Sequence, residues 1–132
     1  MDDEQKNNLP NKKVLIIEDD SFMGNLLLRK FKQESFDVSL ACNAEEARKV
    51  ISSNRPAIIL LDIILPGIDG FGFLKELKGN PDTKEISVII TSNLGKPEEI
   101  EKGLAEGASD YIIKAQASTS EIVEKVRSLL EK

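Results

Sequence analysis

Short β-rich runs alternate with longer segments of helical spacing from Lys13 onward, and this alternation constrains the fold more than any other feature of the chain. The runs are Val14-Leu15-Ile16-Ile17, Ala57 to Leu61, Ile86 to Ile90 and Tyr111-Ile112-Ile113. Solidly apolar strands of this kind are buried on both faces, as in a parallel sheet covered by helices. Phe36, Val38 and Leu40 instead alternate with Asp37 and Ser39, which predicts a half-exposed strand at a sheet edge. The expected order is β1 (about 13–18), α1 (21–34), β2 (36–41), α2 (44–53), β3 (57–62), α3 (70–79), β4 (86–91), α4 (97–106), β5 (110–114) and α5 (119–131). A (βα)₅ chain of this kind most commonly forms a three-layer, doubly wound α/β fold with strand order 2-1-3-4-5.

Local signals mark the helix ends. Asn43 with Glu46, and Ser118 with Glu121, stand at capping-box spacing. Pro97-Glu98-Glu99 reads as a first helical turn, and Gly107 as the C-terminal cap of the same helix. Ile122, Val126, Leu129 and Leu130 form one apolar stripe on the last helix. Residues 1–11 are polar and aperiodic and are expected to be a disordered tail, with one domain over residues 12–132.

Composition removes several classes of function. The 132 residues carry 18 basic and 23 acidic side chains, a net charge of −5, which argues against direct binding of nucleic acid or anionic lipid. There is no histidine, so Ser-His and Cys-His catalysis and His-ligated metals are excluded. Cys42 is alone and cannot form an internal disulfide. With an acidic N-terminus unlike a signal peptide and no apolar run long enough for a bilayer, a cytoplasmic protein outside the membrane is expected.

Ligands of an open parallel sheet bind beyond the carboxyl ends of its strands. Glu18-Asp19-Asp20 follow β1, Asp62 ends β3, Thr91-Ser92 follow the apolar part of β4, and Lys114 follows β5. Strands 1 and 3 are expected neighbours, so Glu18, Asp19 and Asp62 share a crevice. Three carboxylates this close repel unless a cation joins them, and hard oxygen ligands favour Mg²⁺. Asp19-Asp20 is the alternative acidic pair; Glu18-Asp19 is favoured because Glu18 directly follows the apolar run, leaving Asp20 to cap α1. Lys114 adds a compact positive charge. Ser92 adds a hydroxyl, and is preferred to Thr91 because strand alternation points the two in opposite directions. A carboxylate nucleophile, a metal, a lysine and a hydroxyl are what phosphoryl transfer requires.

These residues resemble a known family. The acidic pair Glu18-Asp19, the stretch Asp62-Ile63-Ile64-Leu65-Pro66-Gly67-Ile68-Asp69-Gly70, Ser92, Tyr111 and Lys114 look like a response-regulator receiver domain of two-component signalling, a flavodoxin-like fold. The intervals from Asp62 to Ser92 and to Lys114 match the family's. The resemblance implies that Asp62 is phosphorylated from a phosphohistidine on a sensor histidine kinase or a histidine phosphotransfer protein. It also implies that Asp19 binds Mg²⁺ directly, Glu18 through water and Ile64 through its carbonyl. Ser92 and Tyr111 would act as switch residues that change the α4-β5-α5 face read by a downstream protein. Such a protein is a phosphoacceptor, not an enzyme acting on other substrates, and a monomer or weak phosphorylation-dependent dimer. The chain ends just after α5, so output through protein contacts and not a DNA-binding domain is expected.

Two departures stand out. Ala115 replaces the proline that usually follows the family's lysine in a cis peptide, which leaves the Lys114–Ala115 bond open between cis and trans. Ile64 and Leu94 are apolar at positions expected to rim the site, where neither can orient a hydrolytic water, so a long-lived phosphorylated form is expected. A haloacid-dehalogenase-type phosphatase would need a second aspartate where Ile64 stands. A flavodoxin-like FMN carrier would need a phosphate loop where Glu18-Asp19-Asp20 would repel one. Gly70-Phe71-Gly72 lacks the third glycine of a dinucleotide fingerprint. The remaining alternative is a degenerate receiver that acts unphosphorylated as an interaction module.

Overall fold

The computed structural model describes residues 12–131. Five parallel strands lie in the order β2-β1-β3-β4-β5. They are β1 (Lys13–Ile17), β2 (Asp37–Ala41), β3 (Ile58–Asp62), β4 (Ser87–Ser92) and β5 (Asp110–Ile113), and they alternate with α1 (Ser21–Gln33), α2 (Ala44–Ser53), α3 (Gly70–Gly79), α4 (Pro97–Ala105) and α5 (Thr119–Leu130). A 3₁₀ turn, Lys114–Gln116, separates β5 from α5. The expected α/β architecture and strand order are both present; the expected tail at 1–11 lies outside the described residues. None of the described helices is long and apolar enough to cross a membrane.

Strand alternation divides the core into two layers. Leu15, Ile17, Ile59, Leu61, Val88 and Ile90 face one side and pack with Ala47, Ile51, Phe73, Leu74 and Leu77 from α2 and α3. Val14, Ile16, Ile58, Leu60, Ile89 and Ile112 face the other and pack with Leu27 and Phe31 of α1 and Ile122, Val123 and Val126 of α5. β3 is buried along its whole length, whereas β2 is half-exposed at the edge, as its alternating sequence predicts.

The caps take the forms read from sequence, with one variation. Ser118 and Glu121 form a reciprocal box, the Glu121 N–H donating to Ser118 Oγ at 3.1 Å and the Ser118 N–H to Glu121 Oε1 at 2.8 Å. At α2 the Asn43 side chain accepts the Glu46 N–H at 2.8 Å, but Glu46 reaches one residue further back and accepts the Cys42 N–H at 2.8 Å. After α4, Gly107 adopts φ +110° and its N–H donates to the Leu104 carbonyl, while the Ala108 N–H donates to that of Gly103. Ser118→Ala should cost about 1 kcal/mol in a chemical denaturation experiment. A loss below the resolution of that measurement would show that packing alone starts α5.

Candidate functional site

Each group at the sheet's carboxyl edge is placed by the strand it terminates. The Glu18 N–H extends the β1 ladder by donating to the Ala41 carbonyl at 3.0 Å, which carries the Glu18 side chain inward until only 2% of the residue is exposed. Asp62, the last residue of β3, is 5% exposed. Carboxylate oxygens of Glu18, Asp19 and Asp62 lie within 4.8 Å of one another. Asp20 is outside that group. It caps α1, accepting the Phe22 and Met23 N–H groups at 3.0 and 3.3 Å. The geometry thus gathers the Glu18-Asp19 pair and assigns Asp20 to the helix.

The Lys114 ammonium donates to Glu18 Oε1 and, at 3.1 Å, to Asp62 Oδ2. The remaining oxygens are also held. Glu18 Oε2 accepts the Asp20 N–H at 3.2 Å, and Asp62 Oδ1 accepts the Ile64 N–H at 3.0 Å. Burial pushes the Glu18 carboxyl above its usual 4.5, an effect the Lys114 ammonium opposes. Burial also pulls the Lys114 amine down, but its bonds to Glu18 and Asp62 outweigh that and leave its pKa raised.

The loop after Asp62 folds back on itself. Gly67 turns it at φ +84°, Ile64 bridges to Asp69, and Asp69 caps α3 by accepting the Phe71 N–H at 3.1 Å. The Gly70 N–H then closes onto the Ile63 carbonyl at 2.7 Å, one residue from Asp62.

Ser92 is buried, and its Oγ accepts the Leu94 N–H at 3.1 Å. The Leu94 carbonyl accepts the Tyr111 hydroxyl at 2.6 Å. The backbone of one residue therefore connects the serine to the tyrosine. The Tyr111 ring is half-buried against α4, where Gly103 leaves it room: a Cβ there would lie 3.3 Å from Tyr111 Cδ2 and 2.5 Å from Ile90 Cδ1. Burial raises the Tyr111 pKa.

A cleft of about 240 Å³ is lined by Glu18, Asp19, Asp20, Met23, Asp62, Ile64, Ser92, Asn93 and Lys114. Ile64 stands at its rim, 58% exposed, as expected. Leu94 does not line it; its side chain packs against the core because its backbone is tied between Ser92 and Tyr111. Asn93 takes the rim instead. Sequence reasoning also missed Met23, one turn into α1, for which no local signal existed. The Lys114–Ala115 peptide is trans.

A sequence profile of the response regulator receiver domain matches residues 14–127. The chain belongs to the response regulator receiver domain family. Among relatives of this receiver domain, the phosphate regulon transcriptional regulatory protein PhoB of Rhizobium meliloti is 30% identical over 120 residues, covering 91% of this chain and 52% of PhoB. Response regulator PleD of Caulobacter vibrioides is 36% identical over 103 residues, 77% of this chain and 22% of PleD. The receiver domain thus spans about half of PhoB and less of PleD. Among solved structures, the BeF3-activated N-terminal receiver domain of Klebsiella pneumoniae RstA superposes with a TM-score of 0.83 at 28% identity, over 91% of this chain and 99% of that one. The receiver domain of Francisella response regulator 1452 gives 0.83 at 31% identity, over 92% and 98%.

Proposed function

We propose that Asp62 is the phosphoacceptor of this receiver domain, taking a phosphoryl group from a phosphohistidine on a sensor histidine kinase or histidine phosphotransfer protein. The observation that carries the reading is the buried Asp62 carboxylate, oriented by the Ile64 N–H on one oxygen and by Lys114 on the other, at the centre of an acidic cluster. In the transfer an Asp62 oxygen forms a bond to phosphorus as the N–P bond breaks, and the histidine keeps the electron pair.

The donor set fits Mg²⁺. Three carboxylates face a single ammonium, so the cluster keeps an excess of negative charge on hard oxygen ligands. Asp19 and Asp62 would hold the ion directly, Glu18 through water and Ile64 through its carbonyl. Bound Mg²⁺ supplies charge neutralisation at the phosphoryl oxygens. Lys114, already on Asp62, donates to a phosphoryl oxygen. Ser92 exchanges the Leu94 N–H for the phosphoryl group and becomes a donor to it. Because Leu94 also holds the Tyr111 hydroxyl, that exchange loosens Tyr111 and changes the α4-β5-α5 face read by a partner protein. Exposed Ile64 at the rim has no group to orient a hydrolytic water, which favours a long-lived phosphorylated form.

Incubation with a small acyl phosphate and Mg²⁺ should add one phosphoryl group by mass, and Asp62→Asn should reduce the gain to background. Decay of that adduct within seconds, without a phosphatase, would contradict the expected lifetime. If the unaltered protein gains nothing at any Mg²⁺ concentration, the domain is an interaction module and not a switch.

A further inference from the structure

We propose that Asn93 is a positioning residue, whose side chain latches the loop bearing Lys114 to the loop that follows Ser92. This rests on the phosphoacceptor reading above. Asn93 Oδ1 accepts the Ala115 N–H at 3.0 Å, across 22 residues of sequence. Ala115 is the residue immediately after Lys114 and lies in the first turn of Lys114–Gln116, where N–H groups have no partner within the turn. No side chain caps that turn at its start, so Asn93 supplies the acceptor from a different loop.

A second contact brings the same two loops together. Gly95, two residues beyond Asn93, lies so close to Ile113 that a Cβ on it would stand 2.8 Å from Ile113 Cδ1. Lys114 is therefore bracketed, by Gly95 against the residue before it and by Asn93 on the residue after it. Its amine is held by Glu18 and Asp62 and its backbone by the loop that starts at Ser92. The serine and the lysine, which come from different strands, reach the phosphoryl group as one unit.

The residue types at 93 and 115 form a matched pair. Proline at 115 would have no N–H to give, and Asn93 would lose its partner. Asn93 itself lines the cleft, beside Ser92 and Lys114.

The test is acyl-phosphate uptake read beside amide exchange. Asn93→Ala removes the acceptor and should slow phosphorylation about fivefold, within the range expected for one hydrogen bond. Hydrogen exchange at the Ala115 amide should be slow in the unaltered protein, fast in Asn93→Ala, and slow again in Asn93→Asp, which keeps an oxygen at the same place. Phosphorylation of Asn93→Ala at the unaltered rate, or an Ala115 amide that exchanges equally with Asn93 and with alanine, would overturn the latch. If the unaltered protein takes no phosphoryl group, the phosphoacceptor reading fails while the amide measurement still decides whether the latch exists.

Discussion

Lys114→Met is expected to destabilise the metal-free protein by about 3–5 kcal/mol, the range for removing one partner of a buried ion pair. Lys114 is the ammonium that bridges Glu18 and Asp62, and those residues are only 2% and 5% exposed. Methionine keeps most of the stem's volume and removes the charge, so the loss reports two buried carboxylates left facing each other. The deficit should depend on pH. A proton on Glu18 favours the fold, because its folded pKa lies above 4.5; that contribution is complete below the unfolded value and vanishes as pH rises through the folded one. Without Lys114 the penalty is therefore largest near neutrality and shrinks as pH falls into the carboxyl range. Urea denaturation at several pH values measures it. If the cluster holds Mg²⁺ as proposed, removing the ammonium should also tighten that binding, since the two cations would compete for the same carboxylates. A pH-independent loss below about 1 kcal/mol would mean that water, and not Lys114, relieves the acidic cluster.

Gly70→Ala should be nearly as damaging, for a steric reason. A Cβ on Gly70 would lie 2.4 Å from Ile63 Cα, 2.6 Å from the Ile63 carbonyl oxygen and 2.7 Å from that of Asp62. All three are backbone atoms that no side-chain rotation can move aside, so the chain at the end of β3, Asp62 and Ile63, must shift. Overpacking of this kind costs about 1–3 kcal/mol or more. A displacement of about 1 Å at a reacting group can cost on the order of a hundredfold in rate, so acyl-phosphate uptake should fall at least about tenfold. Gly72→Ala is the control. Its nearest neighbour would be Ile68 Cγ1 at 3.7 Å, and alanine is the better helix former by about 1 kcal/mol, so this variant should be neutral or slightly more stable. Equal thermal stability of the two variants would remove the argument from close approach.

Much of the molecule is readable in its sequence. The alternation of apolar runs with helical segments determined the element order, and the alternating residues from Phe36 to Leu40 marked β2 as the edge. Ser118 with Glu121 marked a helix start and Gly107 a helix stop, because capping is chemistry between residues a few positions apart. The candidate site was legible for a related reason: in a parallel sheet, whatever follows each strand arrives at one edge. That rule alone brought Glu18, Asp19, Asp62, Ser92 and Lys114 together.

Tertiary structure decided how those groups are held. The sequence favoured Glu18-Asp19 over Asp19-Asp20 only on where the apolar run ends; the entry of α1 shows Asp20 as the cap, its carboxylate turned onto the Phe22 and Met23 N–H groups. Leu94 could be counted as a rim residue from its spacing, yet its backbone is tied to Ser92 and Tyr111 and its side chain goes to the core, which leaves the rim to Asn93. Lys114 pairing with Glu18 as well as Asp62, Asn93 reaching Ala115, and the demand for glycine at 70 all depend on distances between loops far apart in the chain. Periodicity and capping are local, and a sequence states them directly. Contacts between loops leaving separate strands exist only after the sheet has set the spacing between those loops.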